Sequence, residues 1–279
     1  MGLLNLRFTR IPRDHDLFSR KDSSKKAALA FLHIPKTAGT WFTSFLMQHF
    51  EQDEIAPLPD GPAPYCSDPA KRLFRGHFRF LAIDTKRPLR LVTLLRDPFE
   101  RTGSHYRSWH NKEFFSDYWR AHASEDVMEA VDWVQRASYE EFVRSDNPIV
   151  QSCIRDVQTG HLTSCPDLSH PDYLRSALRN LERKFFFVGL QEFSAESIQL
   201  FNYQTGSMLE PIFPVHNVSK VYDVTLSAAG KERLHELVQN DVVLYQAGRR
   251  LFERRLAATA RRLKKSPRYS VPAGPPLLR

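Results

Sequence analysis

The sequence predicts an α/β fold, a parallel β-sheet flanked by helices on both faces, and two observations carry that prediction. Three short apolar runs, AALAFLHI (Ala27–Ile34), LRLVTLL (Leu89–Leu95) and FFFVGL (Phe185–Leu190), are continuous rather than alternating. Continuous runs of this length read as strands buried on both faces. Each run gives way to a segment whose apolar residues recur at helical spacing, and strands that alternate with helices pack as a parallel sheet between helical layers.

Taken in order, the first strand run is followed by TWFTSFLMQHF (Thr40–Phe50), with apolar residues at positions 41, 42, 45, 46 and 50, a helical period. A proline-rich connector, IAPLPDGPAPYCSDP, separates this unit from RLFRGHFRF, to which the pattern assigns no element. The second strand run ends in RDPFERTGSHYRSWHN, where Pro98 suits the first turn of a new helix. Residues 113–147 read as polar and aromatic helix fragments, SYEEFVRS among them. PIVQSCIRDVQTG and PDYLRSALRNLERKF read as further helices opened by proline. After the third strand run, SAESIQLFNYQTG predicts a helix with Ser194 as N-cap and Gly206 near its stop. Helical periodicity resumes from about Leu226 to Lys265. The expected organisation is an irregular N-terminal segment over 1–26, a single domain over 27–265, and a disordered tail over 266–279, SPRYSVPAGPPLLR, rich in proline and small residues.

At 279 residues the chain can bury about three quarters of its unfolded surface. Its 42% hydrophobic and 26% charged content is that of a globular protein, which excludes disordered and fibrous classes. Charge interrupts the first thirty residues too often for a signal peptide, and no apolar run approaches twenty residues, so the chain reads as soluble, cytoplasmic and without a membrane span. Cys66, Cys153 and Cys165 match no metal or redox spacing and read as reduced thiols. The net charge of +8 draws anionic partners without choosing among nucleic acid, glycan and phosphorylated small molecule. Much of the excess lies in RRLFERRLAATARRLKKSPR (Arg249–Arg268), the solvated face of a terminal helix or, in the sharper alternative, a patch for an acidic partner.

The stretch FLHIPKTAGTWF (Phe31–Phe42) carries a strand into a loop and then a helix. In α/β sheets ligands bind beyond the carboxyl ends of strands, where the loops after Ile34 and Leu95 both fall. An anion here would meet the unpaired N–H groups and positive dipole end of the new helix. Gly39 permits close approach, Lys36 brings a full charge, and Thr37 and Thr40 bring hydroxyls. A nucleoside-triphosphate loop needs Gly-x-x-x-x-Gly-Lys-Ser/Thr; here the first glycine is missing and Lys36 precedes the only glycine.

The segment HIPKTAGTWF resembles the 5′-phosphosulfate loop of sulfotransferases that use 3′-phosphoadenosine-5′-phosphosulfate (PAPS). It is closest in form to carbohydrate sulfotransferases similar to heparan and dermatan 2-O-sulfotransferases and their soluble bacterial relatives. RDPFERTGSHY (Arg96–Tyr106) fills every fixed position of the family's 3′-phosphate motif, Arg-Asp-Pro-x-x-Arg-x-x-Ser-x-Tyr. Looser likeness continues through NPIVQSCIRDVQTG, through FFFVGLQEFSAESIQLF, and through HNVSK and LYQAGRRLF, so that it spans residues 27–253. The resemblance implies a P-loop-like sheet and PAPS as co-substrate. It places Lys36 on the bridging oxygen, with Thr37, Ala38, Gly39 and Thr40 donating to the phosphate and Trp41 completing the loop. Arg96 and Ser104 would grip the 3′-phosphate, while Arg101 reads as a structural ion pair, and Asn217 and Lys220 read as a loop contact of no chemical role or, in the alternative, as reaching the nucleotide.

Sulfuryl transfer needs an in-line attack, a proton acceptor and positive charge on the departing oxygen, and no metal. A neutral imidazole suits the acceptor role. Of eleven histidines, His77 stands out: it follows a glycine in FRGHFRF, and the 2-O-sulfotransferases carry a similar Gly-His pair whose histidine is the base. His33 is expected to point into the sheet, and His105 is turned about 100° from Ser104 on its helix. A carboxylate base stays open as the alternative, although Glu100 and Glu113 are poorly placed.

The expected function is transfer of a sulfuryl group from PAPS to a hydroxyl, of a carbohydrate first and of a small molecule or lipid in the alternative, releasing 3′,5′-ADP. Acceptor contacts are expected from residues 53–75 and 107–147. The missing membrane anchor suggests a soluble bacterial-type enzyme, not a Golgi one. A nucleic-acid-binding protein using Arg249–Arg268 is the alternative of another class; the region lacks an aromatic-interleaved basic motif, and no nucleic-acid partner is expected. A nucleotide kinase fails on the Gly-Lys-Ser/Thr order.

Overall fold

A computed structural model of the chain describes residues 27–57, 71–80, 88–110, 123–207 and 222–265. The expected N-terminal segment 1–26, the tail 266–279, Cys66, Glu113, Asn217 and Lys220 lie outside the described residues.

The chain opens with strand β1 (Ala28–Leu32), every residue of it buried, and passes through a tight loop into helix α1 (Gly39–Met47). Strand β2 (Leu73–Gly76), strand β3 (Leu89–Leu95) and helix α2 (Pro98–His110) follow. Next come α3 (Glu125–Val134), α4 (Tyr139–Arg144), α5 (Pro148–Ile154), α6 (Val157–Leu162) and α7 (Tyr173–Arg183). Strand β4 (Phe185–Leu190), α8 (Ser194–Thr205), α9 (Ala228–Leu237) and α10 (Gln239–Lys265) complete the described chain.

The four strands form one parallel sheet in the order β2-β1-β3-β4, flanked by helices. The chain runs outward from β1 to β2 and then crosses back to β3, so the strand order reverses between β1 and β3, where such sheets open a ligand crevice. Register lines up the carboxyl ends: Leu32 of β1 faces Gly76 on one side and Thr93 on the other. The Thr93 hydroxyl donates to the Leu32 carbonyl at 2.9 Å and ties the two strands beside the crevice. Phe31, Phe42, Phe45, Phe187 and Phe201 pack edge-to-face and stacked around the sheet. A second cluster, including Tyr106, Val131, Phe142, Val150 and Leu234, fastens the helices beyond α2 to one another.

The structure corrects the element reading at four places. RLFRGHFRF contains a strand, β2, hidden in the pattern by Arg72 and Arg75. The guanidinium of Arg72 is buried against Glu54 at 2.7 Å, and Arg75 donates to the Ala56 carbonyl at 2.8 Å, so neither charge keeps the segment out of the sheet. PIVQSCIRDVQTG is two helices, broken where Asp156 takes a left-handed conformation, φ 43°. The run from Leu226 to Lys265 is also two, α9 and α10, parted at Val238. Ser194 is the first helical residue rather than the N-cap: the 3₁₀ turn Gln191–Phe193 leads straight into α8, and the Ser194 hydroxyl donates to the Gln191 carbonyl. Gly206 ends α8 as expected, with φ 78°.

Three arginines of the basic run on α10 have partners within the described residues. Arg249 pairs with Glu253 at 3.0 Å, Arg254 lies 3.9 Å from Glu182, and Arg255 donates to the Phe185 and Phe186 carbonyls. Among the described residues no helix is long and apolar enough to cross a membrane.

Candidate active site

Three adjacent strand ends build the site. After β1, Lys36 and Ala38 both adopt positive φ, 69° and 66°, with Thr37 buried between them. The Thr37 hydroxyl donates to the Ile34 carbonyl at 2.9 Å and closes the loop on itself. That hydroxyl is therefore a loop lock, and only the backbone of Thr37 is left to face an anion. Residues turned this way point successive N–H groups to one side, an anion-binding concavity. Helix α1 then begins at Gly39 with no side-chain cap and no acidic residue in its first turn. Its leading N–H groups and positive dipole end stand at the crevice. Thr40 is exposed, and its hydroxyl makes no hydrogen bond among the described residues. Trp41 is partly buried, packed near Phe42 and Phe45 at the core's edge.

Gly39 is needed for a reason the sequence does not show. A Cβ there would lie 1.9 Å from the His33 ring, so the imidazole occupies the space a side chain would take. His33 does not point into the sheet as expected. It sits just past β1 under the loop, stacked on Phe31 and 4.2 Å from the His77 ring. Burial, with the charges of His77, His161 and Lys36, pulls its pKa to about 3, so its ring stays neutral.

At the end of β3, Arg96 reaches across the crevice and donates from Nη1 to the Lys36 carbonyl at 3.2 Å. Its Nη2 lies 3.7 Å from Glu100, and its buried Nε has no hydrogen-bond partner among the described residues. Asp97 caps α2, its Oδ1 accepting from the N–H groups of Phe99 and Glu100, which fixes where the helix starts relative to Arg96. Ser104, two turns along, is half-buried, and its hydroxyl makes no hydrogen bond among the described residues. Arg101 is structural, and among the described residues it makes no ion pair, although the Asp241 charge acts on it through the interior. Fully buried, it donates to the Cys153 and Ile154 carbonyls at 2.9 and 3.4 Å, and no carboxylate among the described residues comes within 4.0 Å of it.

At the end of β2, Gly76 has φ 151°, a conformation reserved to glycine, and it swings His77 toward β1. The His77 Nδ1 lies 2.7 Å from the His33 carbonyl. A carbonyl only accepts, so Nδ1 carries the proton and the Nε2 lone pair is left for a substrate proton. His77 is exposed at the crevice mouth; the protein packed on its inner side and the Lys36 charge lower its pKa, and the His33 bond opposes this. Lys36 itself is pulled down to about 8, by burial first and then by Arg96 and Arg101.

Two cavities adjoin these elements. One of about 430 Å³ is lined by Arg79, Arg155, His161 and Tyr173, and the Phe80 N–H donates to the His161 carbonyl at 2.9 Å, joining this wall to the segment that carries His77. The larger, about 580 Å³, runs along α2 between Phe99, Arg107 and His235, and none of Lys36, Arg96 and His77 is in the wall of either cavity. Of the expected acceptor segments 53–75 and 107–147, Arg107 and Tyr139 line the larger cavity, while the smaller, among the described residues, is formed by Arg79 and by residues 148–173. No group of three or more His, Cys, Asp or Glu side chains suited to a metal ion occurs among the described residues.

Sequence reasoning brought Lys36, Arg96 and His77 to one crevice, but it missed what holds them. The His33 carbonyl sets the His77 tautomer. The Gln158 side chain grips the Arg96 backbone at both its N–H and its carbonyl, and Glu192 accepts from the Asp97 N–H at 2.6 Å. Gln158 and Glu192 lie in segments of looser likeness, the only signal available, with nothing local to reveal the contact.

The sequence pattern of the sulfotransferase family matches residues 21–246 of the chain, which takes in all three strand ends. Among curated proteins the chain is similar to heparan-sulfate 6-O-sulfotransferase 2 of Gallus gallus, 25% identical over 288 residues, covering 86% of this chain and 71% of that protein.

Proposed function

The chain belongs to the sulfotransferase family, and from that premise we propose that it transfers a sulfuryl group from PAPS to a carbohydrate hydroxyl, releasing 3′,5′-ADP. The observation that carries the reading is the convergence of Lys36, Arg96 and His77 from three neighbouring strand ends, with His77 held as a base by the His33 carbonyl. The residues present fit a doubly anionic nucleotide: among the described residues the buried Arg96 Nε has no hydrogen-bond partner and α1 has no side-chain N-cap. PAPS supplies the activated sulfuryl group. The α1 N-terminus and Lys36 would hold the 5′ end, and Arg96 with Ser104 the 3′-phosphate. His77 Nε2 takes the proton of the attacking hydroxyl as the new S–O bond forms. Lys36 meets the charge left on the departing phosphate oxygen as the old S–O bond breaks.

A carbohydrate acceptor is supported by the heparan-sulfate relative. The motif likeness to 2-O enzymes and the overall similarity to a 6-O enzyme agree on the reaction and leave the sulfated position open. The test is transfer of labelled sulfate from PAPS to a glycan panel, with mass analysis of the product. His77→Ala should lower kcat by about 10²–10⁴-fold while 3′,5′-ADP still binds. Binding of 3′,5′-ADP no tighter than 5′-AMP by the wild-type chain defeats the proposal.

A further inference from the structure

We propose that Gln158 is a positioning residue for Arg96, and that one face of α10 sets the junction at which Arg96 sits. The inference rests on the reading of Arg96 as the ligand of a 3′-phosphate. Strand pairing ends at Leu95, opposite Leu190, so the peptide groups of Arg96 and Asp97 have no neighbouring strand to bond. Unpaired, they would leave the guanidinium on a frayed end, and two side chains replace the missing strand. The Gln158 carboxamide acts as a peptide unit: its Oε1 accepts from the Arg96 N–H at 3.0 Å and its Nε2 donates to the Arg96 carbonyl at 2.8 Å. Glu192 Oε1 then accepts from the Asp97 N–H.

Both clamps are anchored on α10. Asp241 accepts from the Gln158 N–H at 3.0 Å and from the Thr159 N–H and hydroxyl at 2.7 Å each. Asp156, at the head of α6, accepts in return from the N–H groups of Asn240 and Asp241 and from the Asn240 side chain. The N-termini of α6 and α10 are thus capped reciprocally, each by the other's aspartate, which fixes Gln158 relative to α10. One turn on, the Tyr245 hydroxyl donates to Glu192 Oε2 at 3.1 Å. At the next turn Gly248 lies so close to β3 that a Cβ would come 2.4 Å from Leu95 Cδ1. Asp241, Tyr245 and Gly248 follow i, i+4, i+7 spacing and form one helix face. All three act on Leu95, Arg96 or Asp97, directly or through a single side chain.

The test compares binding of 3′,5′-ADP and 5′-AMP to the purified full chain by calorimetry, since the two differ only in the 3′-phosphate. Gln158→Leu keeps the volume and removes both bonds; Gln158→Glu keeps the acceptor and loses the donor. The expected result for Gln158→Leu is a preference for 3′,5′-ADP reduced about tenfold, with 5′-AMP affinity unchanged, the size of one weakened charged contact. Gln158→Glu should fall between wild type and Gln158→Leu, and in an Arg96→Ala background Gln158→Leu should change the preference no further. Parallel loss for both nucleotides, an unchanged preference, or an additive effect in the Arg96→Ala background overturns the inference. If Gln158→Leu fails to fold, Gln158→Glu and Tyr245→Phe are read by the same criteria. A wild-type chain without any preference overturns instead the nucleotide reading on which this rests.

Discussion

The two strand-to-helix junctions that flank the crevice are held in opposite ways. The loop after β1 is held locally, by two left-handed residues and by the Thr37 hydroxyl bonded three residues back to Ile34. The junction after β3 is held from far along the chain, by Gln158 at a separation of 62 residues and Glu192 at 95. The first offers an anion backbone N–H groups, whose direction the loop conformation alone decides. The second offers a long side chain, which only surrounding structure can aim. On the proposed function, Lys36 as the catalytic charge and Arg96 as the recognition charge can therefore be tuned separately in one crevice.

If that division holds, the two junctions should fail differently. Lys36→Ala removes the charge beside the departing oxygen and should lower kcat by about 10²–10³-fold, the loss typical of one preorganised transition-state donor. Arg96→Ala should act mainly on affinity, weakening 3′,5′-ADP by about 10–100-fold, the range for a hydrogen bond to a charged group, with a smaller change in kcat. Steady-state kinetics beside nucleotide titrations separate the two. Equal effects of both substitutions on kcat would erase the distinction between the junctions.

The same contrast explains what the sequence disclosed. The loop FLHIPKTAGTWF was legible because its conformation depends on neighbours in the chain. The fold class was legible for the same reason, since continuous apolar runs and helical spacing are local patterns. Arg96 was legible as a residue, but its support was not: nothing near Gln158 or Asp241 in sequence says that one will hold the Arg96 backbone and the other will hold Gln158. Strand β2 escaped because its arginines find partners, Glu54 and the Ala56 carbonyl, only once the chain is folded. The breaks at Asp156 and Val238 were missed because reciprocal capping of two helices, by residues 85 positions apart, leaves no periodic trace.

The pH dependence of kcat/KM, which reports the free enzyme, sharpens the comparison by about tenfold per pH unit on each flank. His77 must be neutral to accept a proton, and its pKa lies below the usual 6.5, so activity should persist on mild acidification and fall only below that value. Lys36 must be charged, and its pKa has been lowered to about 8, so activity should decline as pH rises through that value. Lys36→Arg keeps the charge with a far higher pKa and should remove the alkaline limb. An alkaline limb that stays near 8 in Lys36→Arg assigns it to another group.

The smallest effect tests the local lock itself. Thr37 is fully buried, and Thr37→Val keeps its shape while removing the bond to the Ile34 carbonyl. Loss of a buried hydrogen bond with one partner left behind costs about 1–3 kcal/mol. In a domain of this size that lowers Tm by about 2–4 °C per kcal/mol, measurable by thermal unfolding. Because the proposed function puts the 5′ end of the nucleotide at this loop, 3′,5′-ADP and 5′-AMP should weaken together and the preference between them should survive. That is the reverse of the outcome expected for Gln158→Leu, in which the preference changes and 5′-AMP binding does not. Thr37→Val measured beside Gln158→Leu therefore asks whether local and distant supports act on separate ends of the nucleotide. A change of preference in Thr37→Val would show that the two junctions move as one, through the bond from Arg96 to the Lys36 carbonyl.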